Sequence, residues 1–127
     1  MKVVHYESIP LAPVQIDGAV GAKTRCLIGE QDGAPSFTMR QFEIAPGGCT
    51  PKHAQGHEHE VFVLEGNAAV LMGSEEHALR PGSAARRPPS RVHQFRNTGT
   101  VPLKFLCLIP HPLRGMSQPC AAACGCE

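Results

Sequence analysis

Gly47-Gly-Cys-Thr-Pro-Lys-His53-Ala-Gln55-Gly-His57-Glu-His59-Glu-Val-Phe-Val-Leu-Glu65-Gly66 places three histidines between a Pro-Gly-Gly turn and an apolar strand. Imidazoles on an extended chain converge on one ion only if they leave the same face, and successive side chains of a strand alternate faces. His53, Gln55, His57 and His59 share the required parity. The run Val61 to Leu64 has the length and composition of a strand, and Glu65-Gly66-Asn67 closes it as a hairpin turn. The segment reads as half of a metal site carried on a sheet.

A second stretch, Gly82-Ser-Ala-Ala-Arg86-Arg87-Pro88-Pro-Ser90-Arg-Val-His93-Gln-Phe-Arg-Asn97, supplies one more histidine on a short strand after a Pro-Pro turn. Together the two segments resemble the paired motifs of the cupin superfamily. Gly47, His53 and Gly66 fit the first motif, in which Gln55 stands where the family has its second histidine and His59 where it has a glutamate. Gly82, Pro88, His93 and Asn97 fit the second, with Ser90 in place of a glycine. Two spaced motifs in the right order are a specific signal. The resemblance spans roughly residues 37 to 110 and implies an all-β, single-domain cupin jelly-roll barrel. Within the superfamily the chain is most similar to small bacterial cupins with four histidines around manganese, although Gln55 departs from that set.

Composition fits a domain of this kind. A chain of 127 residues has room for one core. Its 13 glycines and 12 prolines favour turns and short strands. A net charge of +1, with both signs dispersed, asks for neither a nucleic-acid nor a membrane partner. No apolar run approaches the roughly 18 residues that span a bilayer, and the first residues are too polar for a signal peptide. A cytoplasmic protein is expected, with its six cysteines reduced.

Along the chain, residues 1–23 read as an arm holding one edge strand near Val3 to Tyr6, residues 24–110 as the barrel, and residues 111–127 as a cysteine-rich tail. Strands are expected over Thr24 to Ile28, Phe37 to Ile44, Ala68 to Met72, His77 to Pro81, Arg91 to Arg96 and Leu103 to Ile109, with a turn at Pro46-Gly47-Gly48. No segment has helical periodicity. The family resemblance implies that the arm pairs with a second subunit in a homodimer.

The expected ligands of one divalent transition metal ion are His53, His59 and His93, with Gln55 as a weak or absent fourth. Imidazole accepts manganese, iron, copper, nickel or zinc alike. Gln55 is a neutral, poor donor, which leaves open positions of the kind catalytic sites keep. His57 is the rival for that place, or else lines the pocket mouth as substrate contact or proton shuttle. A shell of neutral donors leaves the charge of the ion uncompensated, so an anionic ligand chelating through two oxygens suits it. Arg86 and Arg87 are neighbours on a strand, so either one faces inward to hold a carboxylate or both reach water at the rim. Glu58 and Glu60 have the opposite parity to the ligands and read as solvated carboxylates or partners that orient an imidazole. Cys107 aligns with a cavity cysteine of the four-histidine subgroup and reads otherwise as a small buried residue. His5, His77 and His111 lie outside the motifs.

The tail carries Cys120, Cys124 and Cys126, a second metal or redox site or else an unstructured end whose thiols oxidise adventitiously. The leading expectation is a metal-dependent, dioxygenase-like oxidoreductase acting on a small chelating anion, with Gln55, His57 and Cys107 as pocket groups. The alternatives are a small-molecule or metal sensor that turns nothing over, and a metal-dependent isomerase or lyase that needs no oxygen.

Overall fold

The computed structural model describes residues 1–54, 58–87 and 92–111, with residues 53 and 54 described by their backbone. Gln55, His57 and the cysteines of the tail lie outside the described residues. Ten strands follow in chain order: β1 (Ala12–Pro13), β2 (Val20–Ile28), β3 (Phe37–Cys49), β4 (His53–Ala54), β5 (His59–Glu65), β6 (Ala68–Met72), β7 (Glu75–Leu79), β8 (Ala84–Arg87), β9 (Val92–Asn97) and β10 (Leu103–Pro110). They form one antiparallel sheet in the order β7-β6-β9-β3-β10-β5-β8, with β2 beside β3 and β4 beside β9.

The inner face follows from alternation. Thr38, Arg40, Phe42 and Ile44 of β3 are buried and pair in register with Ile109, Cys107, Phe105 and Leu103 of β10. Val61 and Val63 then pair with Cys107 and Phe105 from the other side. Phe42, Phe105 and Phe95 stack in sequence, with ring centroids 5.1 and 5.2 Å apart, as the aromatic centre of the core. Val70, Leu103, Ile44 and Val63 fill in around them. Burial of these apolar faces at about 25 cal/mol per Å² drives the curling of the sheet.

Two glycines, one of them in the first motif, have steric reasons. Gly66 has φ of +86°, and a Cβ there would stand 2.8 Å from the Pro102 carbonyl oxygen, so the β5–β6 turn closes against the chain entering β10 only without a side chain. A Cβ on Gly48 would meet the Val20 carbonyl oxygen at 2.3 Å, where β2 and β3 slip register between Val20 and Ala22.

The structure revises several expected boundaries. The arm holds a 3-10 turn over Tyr6–Ser8 and the two-residue β1 in place of a strand near Val3, and β2 begins at Val20, inside the segment assigned to the arm. β3 runs through Pro46 to Cys49 where a turn was expected, because the bulge against β2 absorbs the Pro-Gly-Gly sequence without ending the pairing. β7 begins at Glu75, two residues ahead of the expected start, because Gly73 and Ser74 alone make the hairpin turn between the paired Met72 and Glu75. Cys49 and Cys107 are free thiols, whereas Cys26 is disulfide-bonded, against the expectation that every cysteine is reduced. No described helix is long and apolar enough to cross a membrane.

Candidate metal centre

Two of the four expected ligands have described side chains, and the fold brings them together. His59 opens β5 and His93 is the second residue of β9, each on the inward parity and each essentially without solvent exposure. Their rings meet edge to face with centroids 5.4 Å apart. Metal–imidazole bonds of about 2 Å let one ion reach both rings at that separation. His53 pairs directly with His93 across β4 and β9, so the backbone sets a third histidine beside the pair. Two buried imidazoles at that separation suit a transition metal ion, while among the described residues no group of three or more His, Cys, Asp or Glu side chains stands together.

The surroundings orient these rings. Nδ1 of His59 lies 3.9 Å from the Cys107 Sγ, which turns Nε2 away from the thiol. His93 rests edge-on against Phe95 at 6.2 Å, so the apolar stack forms a wall under the imidazoles. Thr50 locks β9 in place: its amide donates to the Phe95 carbonyl and its Oγ1 accepts from the Phe95 amide, both at 2.9 Å. Asn97 holds the following turn. Its Nδ2 donates to the carbonyls of Ile44 and Val101 at 2.8 Å, and its Oδ1 accepts from the Gly99 amide at 2.8 Å.

Adjacent strand residues separate Arg86 from Arg87. Arg87, opposite His59 in the β5–β8 register, is buried, whereas Arg86 is exposed with its Nε 3.6 Å from a Glu58 carboxylate oxygen. Glu60 faces outward, and its carboxyl is held above the usual range, first by a hydrogen bond with Glu58 and then by desolvation and the charge of Glu58. Cys107 is buried, which pushes its thiol up, while the guanidinium groups of Arg40 and Arg87 pull in the opposite direction.

Arg40 is the residue that sequence reading missed. It is 1% exposed, donates from Nη2 to the Cys107 Sγ at 3.3 Å, and lies 5.2 Å from the Phe42 ring centroid. Within Thr38-Met-Arg-Gln-Phe it looks like a solvated strand residue; its shared parity with Phe42 and Ile44 was the available signal. Three other described histidines stay apart from the centre. His5 caps the first 3-10 turn, His77 is exposed beside Glu75, and His111 bonds the Thr38 hydroxyl at 2.9 Å.

The family model described as a cupin domain matches residues 40–109. The chain belongs to the cupin family. This cupin is 32% identical over 71 residues to 1-methylthio-D-xylulose 5-phosphate methylsulfurylase of Rhodospirillum rubrum, covering 56% of this chain and 46% of that protein. The chain thus spans about half the length of that curated relative. Among solved structures, the polyketide cyclase RemF of Streptomyces resistomycificus is 33% identical with a TM-score of 0.81, covering 87% of this cupin and 79% of that chain. A cupin 2 domain-containing protein of Halorhodospira halophila is 35% identical with a TM-score of 0.68, over 71% of this chain and 64% of that one.

Proposed function

We propose that this cupin is a metal-dependent enzyme acting on a small anionic substrate that chelates through two oxygens, by lyase, isomerase or cyclase chemistry that needs no oxygen. The observation that carries the reading is the buried, edge-to-face pair of His59 and His93, with His53 opposite His93 in register. His53, His59 and His93 would hold the ion, with Gln55 or His57 beside them. A divalent ion in such a site supplies Lewis-acid polarisation of the chelating oxygens. The chain's own groups do the rest: Cys107 orients His59, the Phe95–Phe105–Phe42 stack excludes water from one side, and Arg87 offers a fixed charge to the anion. The similarity to a polyketide cyclase over most of both chains favours the oxygen-independent class.

A dioxygenase-like oxidoreductase is the second reading, favoured by the neutral donor set of imidazoles and a carboxamide, which leaves room for substrate and oxygen at one centre. Metal-loaded protein incubated with diketone, catechol, flavonol and polyketide-like panels, with and without oxygen, separates the two. Anaerobic consumption of a chelating substrate supports the proposal, and strictly aerobic consumption supports the oxidoreductase. A ligand bound tightly but recovered unchanged would sink both in favour of a binding module.

A further inference from the structure

Cys26 on β2 has no part in the chemistry described so far. It is partly buried and disulfide-bonded, while Cys49 and Cys107 are free thiols. Of the six cysteines in the chain, Cys120, Cys124 and Cys126 remain as candidates for its partner. The position of His111, the last described residue, agrees with that choice. Cys26 pairs with Arg40 across β2 and β3, and Arg40 and Thr38 pair with Cys107 and Ile109 across β3 and β10. Residues opposite each other in an antiparallel ladder share a face, and along a strand that face recurs at every second residue. Cys26, Thr38, Arg40, Cys107 and Ile109 therefore leave the sheet on one side. His111 continues this parity two residues past Ile109: its amide donates to the Ser36 carbonyl and its Nε2 bonds the Thr38 hydroxyl, both at 2.9 Å. The chain thus passes into residues 112–127 from the face that carries Cys26.

We propose that Cys26 closes a disulfide with one of Cys120, Cys124 and Cys126, and that this bond straps the tail over the Arg40–Cys107 side of the barrel wall until it is reduced. The reach is ample. Two strand spacings across and about four residues along separate His111 from Cys26, roughly 16 Å in all. Cys120 lies nine residues beyond His111, and an extended chain of that length reaches about 30 Å. The bond is made by exchange with a small disulfide of the oxidised glutathione type. One protein thiolate attacks it, so that a mixed disulfide forms as the S–S bond of the oxidant breaks and one small thiol leaves. The second cysteine then attacks the mixed disulfide and expels the other small thiol, so the protein gives up two electrons and two protons and the oxidant takes them. A dithiol reductant runs the exchange backwards and releases the strap.

The test uses the untagged full-length chain equilibrated with oxidised glutathione, beside a variant that combines Cys120→Ser, Cys124→Ser and Cys126→Ser. After free thiols are blocked, peptide mapping without reductant should find Cys26 joined to a cysteine of the tail in the wild type, and the link should vanish after dithiothreitol. Labelling of Cys107 by a maleimide, read peptide by peptide, should be at least about fivefold slower in the oxidised wild type than in the triple variant treated identically, with Cys26→Ser behaving like the triple variant. Cys26 recovered as a free thiol after oxidation, or joined to Cys49, to Cys107 or to Cys26 of a second copy, overturns the proposal. Equal labelling of Cys107 with and without the bond overturns it as well, because the tail then covers nothing. Neither readout depends on a metal ion, so the strap and the metal reading stand or fall separately.

Discussion

Asn97 shows how much a single motif residue contributes. It was legible as a motif position, yet its work is structural: three hydrogen bonds from one buried carboxamide tie β3 and the 97–101 turn together. Asn97→Ala strands two carbonyls and an amide and should lower stability by about 2–4 kcal/mol, read as a lower urea midpoint at constant m-value. His59 was legible by parity and spacing within the first motif and His93 by its place in the second, and both lie buried. Arg40 was not, because one arginine in a polar-flanked strand reads as solvated until the register with Cys107 is known. At Gln55 the expectation is functional. Gln55→His should tighten metal binding by about tenfold or more and slow turnover, checked by competition against a chromogenic chelator and by steady-state assay. Unchanged affinity would place residue 55 away from the ion.

At the scale of elements, one side chain gathers several contacts of the arm. Arg25 of β2 donates from Nε to Gln41 at 2.8 Å, from Nη1 to the carbonyls of Tyr6 and Ile9 at 2.8 and 2.7 Å, and from Nη2 to Glu43 at 2.8 Å. It also lies 5.3 Å from the Tyr6 ring centroid. Arg25→Met leaves those acceptors and a half-buried carboxylate without their partner, and should cost about 3 kcal/mol, with faster amide exchange confined at first to residues 6–14. The form of residues 6–14 was not legible, since Pro10 and Pro13 deny a long strand and nothing local announces that a distant arginine collects the carbonyls of Tyr6 and Ile9. The 3-10 turn over Glu30–Asp32 is tied similarly. The Gly29 amide, and after it the Lys2 ammonium, bond the Asp32 carboxylate and hold its pKa below the usual range. With the folded value depressed, this contribution is present above about pH 4 and is lost as pH falls through the folded value. An NMR titration should therefore show Asp32 still ionised where exposed aspartates are half protonated, and Lys2→Ala should bring its midpoint closer to theirs.

For the molecule as a whole, the fold was almost fully legible, because alternating apolar residues, motif glycines and turn residues all point to the same curled antiparallel sheet. The candidate site was legible only in its histidines. Its histidines belong to motifs, while the arginine and thiol wall behind them exists only once β3, β10, β5 and β8 lie side by side. On the reading proposed above, His59 and His93, with His53 beside them, hold one metal ion inside the barrel. Elemental analysis of untagged protein tests it most directly, on the full chain, on the chain ended after Pro110, and on His59→Ala combined with His93→Ala. About one equivalent of a single transition metal is expected in the first two, and its loss in the third. Metal that vanishes with the tail and persists without His59 and His93, or a full chain that takes up none, would contradict it.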